Sequence, residues 1–407
     1  MQIIRFLQFS DLHLDSSLSA GRLGLPPEKV RQRQKEIRSI LPFACELARD
    51  RRVDLVLIPG DLFDDEAVSL DTANFAIEAF SGLAPIPVVI APGNHDFYSL
   101  GSLYNNELLT ARRQRPWPGN VKIFTDGEWQ VWRPPSLPHV SITGMAHAAN
   151  AAISNRLPTS PLPRGEDASI RILAFHGSRD NTDLPKGKLA TLPFSDAELA
   201  AQGFDWAAVG HYHEAAEFRA PPARLLGAYS GCPAGRGLDE TGEKSVIIGE
   251  LSRDGASGEL SAKIERVVLD RRRIHLVEVP STGLTHRDAI LRRAEELVAL
   301  RDCRADDLVV LRLTGRAAPG IDLRFPEGYM ADRFFHVVVD AGKLRPAYDL
   351  ERYRREELRS TEARFAREML RRMADEPDAA ARRKIENALY YGLDALIQKD
   401  VAPRYEE

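Results

Sequence analysis

The sequence predicts an α/β protein in which helices pack on a layered β-sheet, followed by a small α+β part and a helical end. Short apolar runs alternate with helix-period segments through the first half of the chain. Each run stops at a turn rich in Gly, Pro, Asp or Asn. The last part is densely charged but keeps apolar residues at helical spacing. At about 150 residues per domain, 407 residues suggest two or three domains.

The elements follow in order. Residues 3–9 are typical of a strand, and Pro26-Pro27 opens a helix with one apolar face. Strands are predicted at 55–58 and 87–90, with a helix over 71–80 between them. Further strands are predicted at 170–175, 204–209, 274–279, 308–313 and 334–339, and a further helix at 285–300.

The character of the chain changes near Asp270. We expect a first domain over 1–268, a small α+β domain over 269–348 and a charged helical tail over 349–407. Pro377 divides the tail into two predicted helices, each with an apolar stripe. Such stripes pack either on their own chain or on a partner helix.

Composition excludes several classes of protein. A net charge of −4 argues against a chain that coats nucleic acid by bulk positive charge. Cys45, Cys232 and Cys303 cannot form a paired framework, which favours a reducing, cytoplasmic setting. No apolar run approaches the roughly 20 residues of a membrane helix, and the first residues do not resemble a signal peptide. We therefore expect no membrane association.

Polar residues follow five of the predicted strands, where open α/β sheets bind ligands. They are Asp11-x-His13, Gly60-Asp61, Gly93-Asn94-His95-Asp96, His176 and Gly210-His211-x-His213. Carboxylates, imidazoles and one amide oxygen suit Mn, Fe or Zn, and no thiolate is among them. Seven such ligands exceed the needs of one zinc ion. The number fits two metals that share a carboxylate, as in sites for phosphoryl displacement.

The ordered set DLH, GDLFD, GNHD, H and GHYH resembles the calcineurin-like metallophosphoesterase superfamily and, within it, the SbcD-type DNA repair exonucleases. The motifs span residues 1 to about 240. The resemblance implies a layered β-sandwich catalytic core flanked by helices. It also implies a small α+β capping domain that binds DNA and a C-terminal helical hairpin.

The resemblance also implies roles for individual residues. One metal would be held by Asp11, His13, Asp61 and His213, and the other by Asp61, Asn94, His176 and His211. A hydroxide between the ions would attack phosphorus, and manganese is expected, with Fe, Zn and Mg as alternatives. His95 would protonate the leaving oxygen. Asp96 would either orient His95 or cap a turn. Where many relatives outside bacteria have a histidine, this chain has Asp64.

The expected function is therefore a metal-dependent DNA exonuclease or endonuclease acting in DNA repair. The resemblance implies an SbcC-like coiled-coil ABC ATPase bound by the C-terminal helices, and a homodimer formed through the catalytic domain. The alternative is a phosphoesterase for a small phosphodiester, a nucleotide or a phosphoprotein. An inactive scaffold is a third interpretation, although every ligand position is filled.

Several residues remain outside this assignment. Arg236 either contacts a phosphate or faces solvent in a turn. The basic run Arg271-Arg272-Arg273 either meets a DNA backbone or forms a solvated strand edge. Histidines outside the motifs are expected to be structural or on the surface: His139, His147, His275, His286 and His336.

Overall fold

The structure is a computed structural model that describes residues 2–18, 23–64, 68–149, 153–165, 167–180, 190–255, 257–318, 321, 325–326, 328–355 and 357–398. The chain divides into two compact units, Met1–Ile274 and His275–Glu407, here called unit 1 and unit 2. The end of the predicted tail, 399–407, lies outside the described residues. Among the described helices, none is long and apolar enough to cross a membrane.

Unit 1 contains two six-stranded sheets. The first has the order β12-β11-β1-β2-β3-β4 and is built from β1 (Gln2–Gln8), β2 (Leu55–Ile58), β3 (Val88–Ile90), β4 (Val121–Ile123), β11 (Ser245–Arg253) and β12 (Leu260–Val268). Strands β1 to β4 run parallel, while β11 pairs antiparallel with both β1 and β12. Every residue of β2 is fully buried, which explains its uninterrupted apolar sequence.

The second sheet has the order β5-β6-β7-β8-β10-β9. Its strands are β5 (Gln130–Trp132), β6 (Val140–Gly144), β7 (Ile170–His176), β8 (Trp206–Gly210), β9 (Ala216–Ala220) and β10 (Arg224–Tyr229). The four central strands β6, β7, β8 and β10 are parallel. Their carboxyl ends therefore share one edge of the sheet.

The two sheets pack face to face around one apolar core. Phe6 and Leu57 of the first sheet join Ile172 and Trp206 of the second in a single buried cluster. The Phe6 and Trp206 rings lie 5.1 Å apart between centroids. Burial of one such side chain contributes about 1.5–3 kcal/mol, so this core accounts for much of the stability of unit 1. The α/β class with a layered β-sandwich is confirmed.

The helices of unit 1 are α1 (Pro27–Asp50), α2 (Leu70–Ser81), α3 (Asn106–Ala111) and α4 (Asp196–Ala201). Helix α1 begins with proline at its first position and buries one face, including Ile37 and Leu41. Helix α2 is capped by Ser69, whose side chain accepts the N–H of Thr72 at 3.1 Å. The predicted helix over 71–80 is thus found with its cap in place.

Unit 2 begins with a four-stranded sheet and one helix. These are β13 (Ile274–Pro280), α5 (Arg287–Ala299), β14 (Leu308–Ala317), β15 (His336–Asp340) and β16 (Leu344–Pro346). Strand β14 pairs with β13, and it pairs in parallel with both β15 and β16. Apolar residues of α5 and β14 form a separate core, as expected for an α+β fold.

The end of unit 2 is helical but less continuous than the sequence predicts. After α6 (Leu350–Tyr353) the first long helix, α7 (Thr361–Asp375), begins only at its cap Ser360. The predicted single helix from 349 is wrong there, because Ser360 accepts the N–H of Ala363 and starts a new helix. Helix α8 (Ala379–Leu393) follows Pro377, and a π-helical turn covers Asp394–Gln398. The two helices pack on each other through Ala366, Leu370, Leu389 and Leu393.

Candidate functional site

The predicted site residues come from loops at the carboxyl ends of five parallel strands. Asp11 and His13 follow β1, Asp61 follows β2, and Asn94 with His95 follows β3. From the second sheet, His176 ends β7, and His211 and His213 follow β8. Because both sheets contribute, the site forms where two parallel edges meet.

Asp61 is the residue that joins the two predicted halves of the site. One carboxylate oxygen, Oδ2, lies 3.5 Å from His13 Nε2 and 3.3 Å from His176 Nε2. The other, Oδ1, accepts the backbone N–H of His95 at 3.0 Å. The first oxygen therefore sits between one histidine of each predicted metal set. This is the position that a bridging carboxylate requires.

The remaining candidates surround this centre. His211 Nδ1 lies 3.3 Å from His176 Nε2, and His213 Nε2 lies 3.9 Å from Asp11 Oδ1. Ligand atoms of Asp11, His13 and His213 lie within 4.8 Å of one another, and so do those of Asp11, Asp61 and His176. The structure thus brings the predicted carboxylates and imidazoles into one cluster.

The backbone of this cluster adopts an unusual conformation. Asp11, His13, Asp61 and His211 all have positive φ, at 57°, 47°, 53° and 118°. Non-glycine residues rarely adopt such angles, and each costs of order 1–3 kcal/mol. The cost is offset by hydrogen bonds between the two loops: Asp11 N–H donates to the Gly60 carbonyl and His13 N–H to the Asp61 carbonyl, at 3.1 and 3.0 Å.

Gly93 has no side chain because none would fit. A Cβ there would lie 2.3 Å from Asp61 Oδ1 and 2.9 Å from the His176 ring. The glycine of the GNHD motif therefore lets the loop after β3 approach the central carboxylate.

The donor set fits divalent metal ions. Both ring nitrogens of buried His13 and Oδ1 of Asn94 have no hydrogen-bond partner among the described residues. Buried polar atoms are normally paired, so these three lone-pair donors are suited to coordination. His176 Nδ1 bonds the Pro59 carbonyl at 3.0 Å, which directs the Nε2 lone pair toward Asp61.

Electrostatics support the same interpretation. Burial, reinforced by the charge of Arg236, lowers the pKa of His13 to about 3, so its imidazole is neutral. For His176 burial alone would lower the pKa, but the charges of Asp61 and Asp11 outweigh it and raise the pKa to about 9. A buried site that favours a proton so strongly has an excess of negative charge, which a cation would balance.

His95 lies at the open side of the cluster. Its side chain is 36% exposed, and its Nδ1 lies 3.4 Å from Asp64 Oδ1. The hydrogen bond to Asp64 raises the pKa of His95, which favours a protonated ring. Asp64 also lies 3.8 Å from His13 Nδ1. The aspartate that replaces a histidine of some relatives therefore contacts two imidazoles.

Asp96 contacts backbone rather than the His95 ring among the described hydrogen bonds. One oxygen accepts the N–H groups of Gly93 and Asp61, at 2.7 and 3.0 Å. The other accepts the N–H of Leu62 at 2.7 Å and the hydroxyl of Tyr104 at 2.6 Å. These bonds tie the loops after β2 and β3 together. Burial, together with the charge of Asp61, raises the pKa of Asp96 to about 6.

Three supporting residues are not identified by sequence reasoning. Glu240 accepts a hydrogen bond from His213 Nδ1 at 2.6 Å, Tyr104 bonds Asp96, and His147 Nε2 lies 3.1 Å from the His176 carbonyl oxygen. None belongs to a motif. Their only sequence signal is polarity inside otherwise ordinary loops, which is too weak to distinguish them.

Two arginine interpretations need correction. Arg236 does not face solvent: it is 1% exposed, with its guanidinium 3.4 Å from His213 Nε2. Arg272 is not part of a solvated edge either, because it is 4% exposed and bonds both carboxylate oxygens of Glu36 on α1. In both cases a buried carboxylate makes burial of the arginine possible.

Comparisons with known proteins agree with this geometry. The sequence profile of the family described as Calcineurin-like phosphoesterase matches residues 4–215, more than half of the chain. The "Uncharacterized metallophosphoesterase YhaO" of Bacillus subtilis (strain 168) is 28% identical over 268 residues, covering 65% of this chain and 60% of that protein. The "DNA double-strand break repair protein Mre11" of Aeropyrum pernix is 35% identical over 94 residues, 23% of this chain and 21% of that protein. The chain therefore matches less than two thirds of the length of either relative.

Solved structures with similar folds include TT1561 of Thermus thermophilus, with a TM-score of 0.34 and 12% identity over 64% of this chain and 99% of that chain. A dimetal phosphatase from Danio rerio has a TM-score of 0.34 and 13% identity, covering 65% of this chain and 99% of that chain.

Proposed function

The chain belongs to the calcineurin-like phosphoesterase family and is a metal-dependent phosphoesterase, and we propose that its substrate is DNA. It would hydrolyse phosphodiester bonds from an end or at a structured junction. The observation that carries this proposal is the openness of the site: His95 is 36% exposed, whereas Asp11 and Asp61 below it are buried. An open site admits the end of a polymer. The 94-residue similarity to a double-strand break repair protein supports the same substrate.

The residues divide the chemical task. Asp11, His13, Asp61 and His213 would hold one divalent ion, and Asn94, His176 and His211 would hold the other together with Asp61. When bound, such a pair supplies Lewis acidity and a water of lowered pKa. We propose manganese as the native metal, since carboxylate and imidazole donors suit it.

His95 is the proposed general acid. Its Nδ1 faces Asp64, which holds the ring in place and stabilises its proton. A protonated imidazole beside the scissile bond can donate to the departing sugar oxygen, which contributes about 10²–10⁴-fold in rate. Asp96 supports this step through the backbone, because it fixes the turn on which His95 lies.

The test is hydrolysis of end-labelled linear duplex DNA with Mn²⁺, compared for the wild type, His95→Ala and His139→Ala. His139 is a matched control, since it lies outside the cluster. We expect His95→Ala to lose at least a hundredfold in rate and His139→Ala to match the wild type. Covalently closed circular DNA tests the need for an end. Hydrolysis of bis-(para-nitrophenyl) phosphate with DNA left intact, even with a partner ATPase present, would favour a small phosphodiester, nucleotide or phosphoprotein substrate.

We further propose that unit 2 binds a coiled-coil ABC ATPase of the SbcC type. The α7–α8 hairpin buries its own stripes, but the turn after it leaves Leu396 and Ile397 exposed by 40% and 41%. We expect Leu396→Glu with Ile397→Glu to abolish co-purification of the ATPase. Leu300→Glu is the control, since Leu300 is 81% exposed elsewhere in unit 2. Equal capture by all variants would refute this assignment.

Two more expectations belong to the same proposal. A homodimer through unit 1 is supported by Phe43 of α1, which is 49% exposed. Sedimentation of Phe43→Glu as a monomer would support it, and an unchanged mass would refute it. A cytoplasmic location is supported by Cys45, Cys232 and Cys303, which form no disulfide. Cell fractionation tests the location.

A further inference from the structure

The loop after β10, residues 230–242, lies beside the metal-ligand candidates but contributes none of them. It carries two charged side chains that are almost fully enclosed: Arg236 is 1% exposed and Glu240 is 9% exposed. Neither is explained by the proposed hydrolysis. Buried charges are costly unless they are paired, so their retention here requires a partner.

Glu240 finds that partner in His213. Its Oε1 lies 2.6 Å from His213 Nδ1, and its Oε2 accepts the backbone N–H of Arg236 at 2.5 Å. The Arg236 guanidinium lies 3.6 Å from Glu240 Oε1 and 3.4 Å from His213 Nε2. The hydrogen bond from His213 holds the pKa of the Glu240 carboxyl well below its usual range, although burial alone would raise it.

The loop itself is held firmly at both ends. Gly235 donates its N–H to Asp270 at 2.9 Å, and its carbonyl accepts from Arg33, which pairs with Asp270 through two bonds of 2.6 and 2.7 Å. At the other end, Gly242 donates its N–H to the carbonyl of Ile274, the last residue of unit 1. Glu240 therefore approaches His213 from a fixed support.

We propose that Glu240 is a positioning residue for His213: it accepts the Nδ1 proton and so presents the Nε2 lone pair toward Asp11. Nε2 lies 3.9 Å from Asp11 Oδ1, on the side of the predicted metal. Carboxylate–histidine–metal arrangements of this kind fix the tautomer and the orientation of the ring. The inference rests on the proposed role of His213 as a metal ligand.

A third cation is a weaker explanation for the same cluster. Ligand atoms of His213, Cys232 and Glu240 lie within 4.8 Å of one another. The Arg236 guanidinium, however, already supplies positive charge next to Glu240, and burial raises the pKa of the Cys232 thiol. A cation there would face a buried positive charge and a protonated thiol, which favours the hydrogen-bonded arrangement.

The experiment measures Mn²⁺ binding to the full chain by calorimetry or by the spin-resonance signal of free Mn²⁺. The variants are Glu240→Ala, Glu240→Gln, His213→Ala and, as control, Glu243→Gln. Glu243 lies just past the same loop, and its side chain is 56% exposed in an ion pair with Arg273. Thermal melting of the metal-free proteins verifies that each variant folds.

We expect Glu240→Ala to weaken one Mn²⁺ site by about 10–100-fold, as second-sphere substitutions typically do. Glu240→Gln should lose less, because its amide oxygen can still accept the Nδ1 proton. Glu243→Gln should bind like the wild type. Wild-type affinity in both Glu240 variants, with His213→Ala losing one ion, would overturn only this inference. Wild-type binding by His213→Ala would overturn the metal assignment as well.

Discussion

Removal of the Asp96 carboxylate should cost unit 1 several kcal/mol of folding free energy. Asp96 is 6% exposed and receives four short hydrogen bonds, from three backbone N–H groups and the hydroxyl of Tyr104. In Asp96→Ala these donors lose their acceptor. A buried unsatisfied donor costs about 1–3 kcal/mol, so four donors at the low end predict a loss of about 4 kcal/mol.

Asp96→Asn should cost about half as much, roughly 2 kcal/mol, because its single carbonyl oxygen can still accept two of the donors. The amide nitrogen in the other position meets the Leu62 N–H, and two donors then face each other. The Tyr104 hydroxyl can rotate and accept from that nitrogen. The expected order of stability is wild type, Asp96→Asn, Asp96→Ala.

The assay is urea unfolding of metal-free protein followed by tryptophan fluorescence. All four tryptophans, at 117, 129, 132 and 206, lie in unit 1, so the signal reports on that unit. Asp126→Asn is the control, since Asp126 is exposed. A loss below about 1 kcal/mol in Asp96→Ala would refute the reasoning, because it would mean that water replaces the carboxylate at little cost. Lost hydrolysis with unchanged stability would instead favour a role in orienting His95.

Three further outcomes are expected. Chelation of divalent metals should abolish hydrolysis and lower the Tm, since ions at a hundred times their Kd stabilise the folded chain by about 2.7 kcal/mol; a Tm that does not respond to added Mn²⁺ would contradict this. Gly93→Ala should weaken Mn²⁺ binding measured by calorimetry, because its Cβ would lie 2.3 Å from Asp61 Oδ1. Gly392→Ala should open the α7–α8 hairpin to proteolysis and cost about 1–3 kcal/mol, because its Cβ would lie 2.1 Å from the Phe365 ring.

The glycine prediction has a matched control. A Cβ at Gly119 would meet nothing within 4 Å, so Gly119→Ala should bind Mn²⁺ like the wild type. Equal affinities in the Gly93 and Gly119 variants would show that the loop after β3 can move away from Asp61 without loss.

The sequence alone was sufficient for the sheet strands and for the residues of the cluster. Strands such as 55–58 are apolar throughout because both of their faces are buried, and this pattern is legible without any tertiary information. Parallel strands place their carboxyl ends at a common edge. Ligands that follow different strands, such as Asp61 and His176, could therefore be expected to meet.

Only the tertiary structure decided which residues support that cluster. Glu240 reaches His213 from 27 residues further along the chain, and Tyr104 reaches Asp96 from a separate loop. Arg236 is polar in a turn-like segment, so local sequence predicts exposure, yet the loop folds inward to pair it with Glu240. Local propensity describes how a residue relates to its neighbours in the chain. The partners of a buried charge depend on which loops the two sheets bring together, because that alone determines where an unpaired charge would be enclosed.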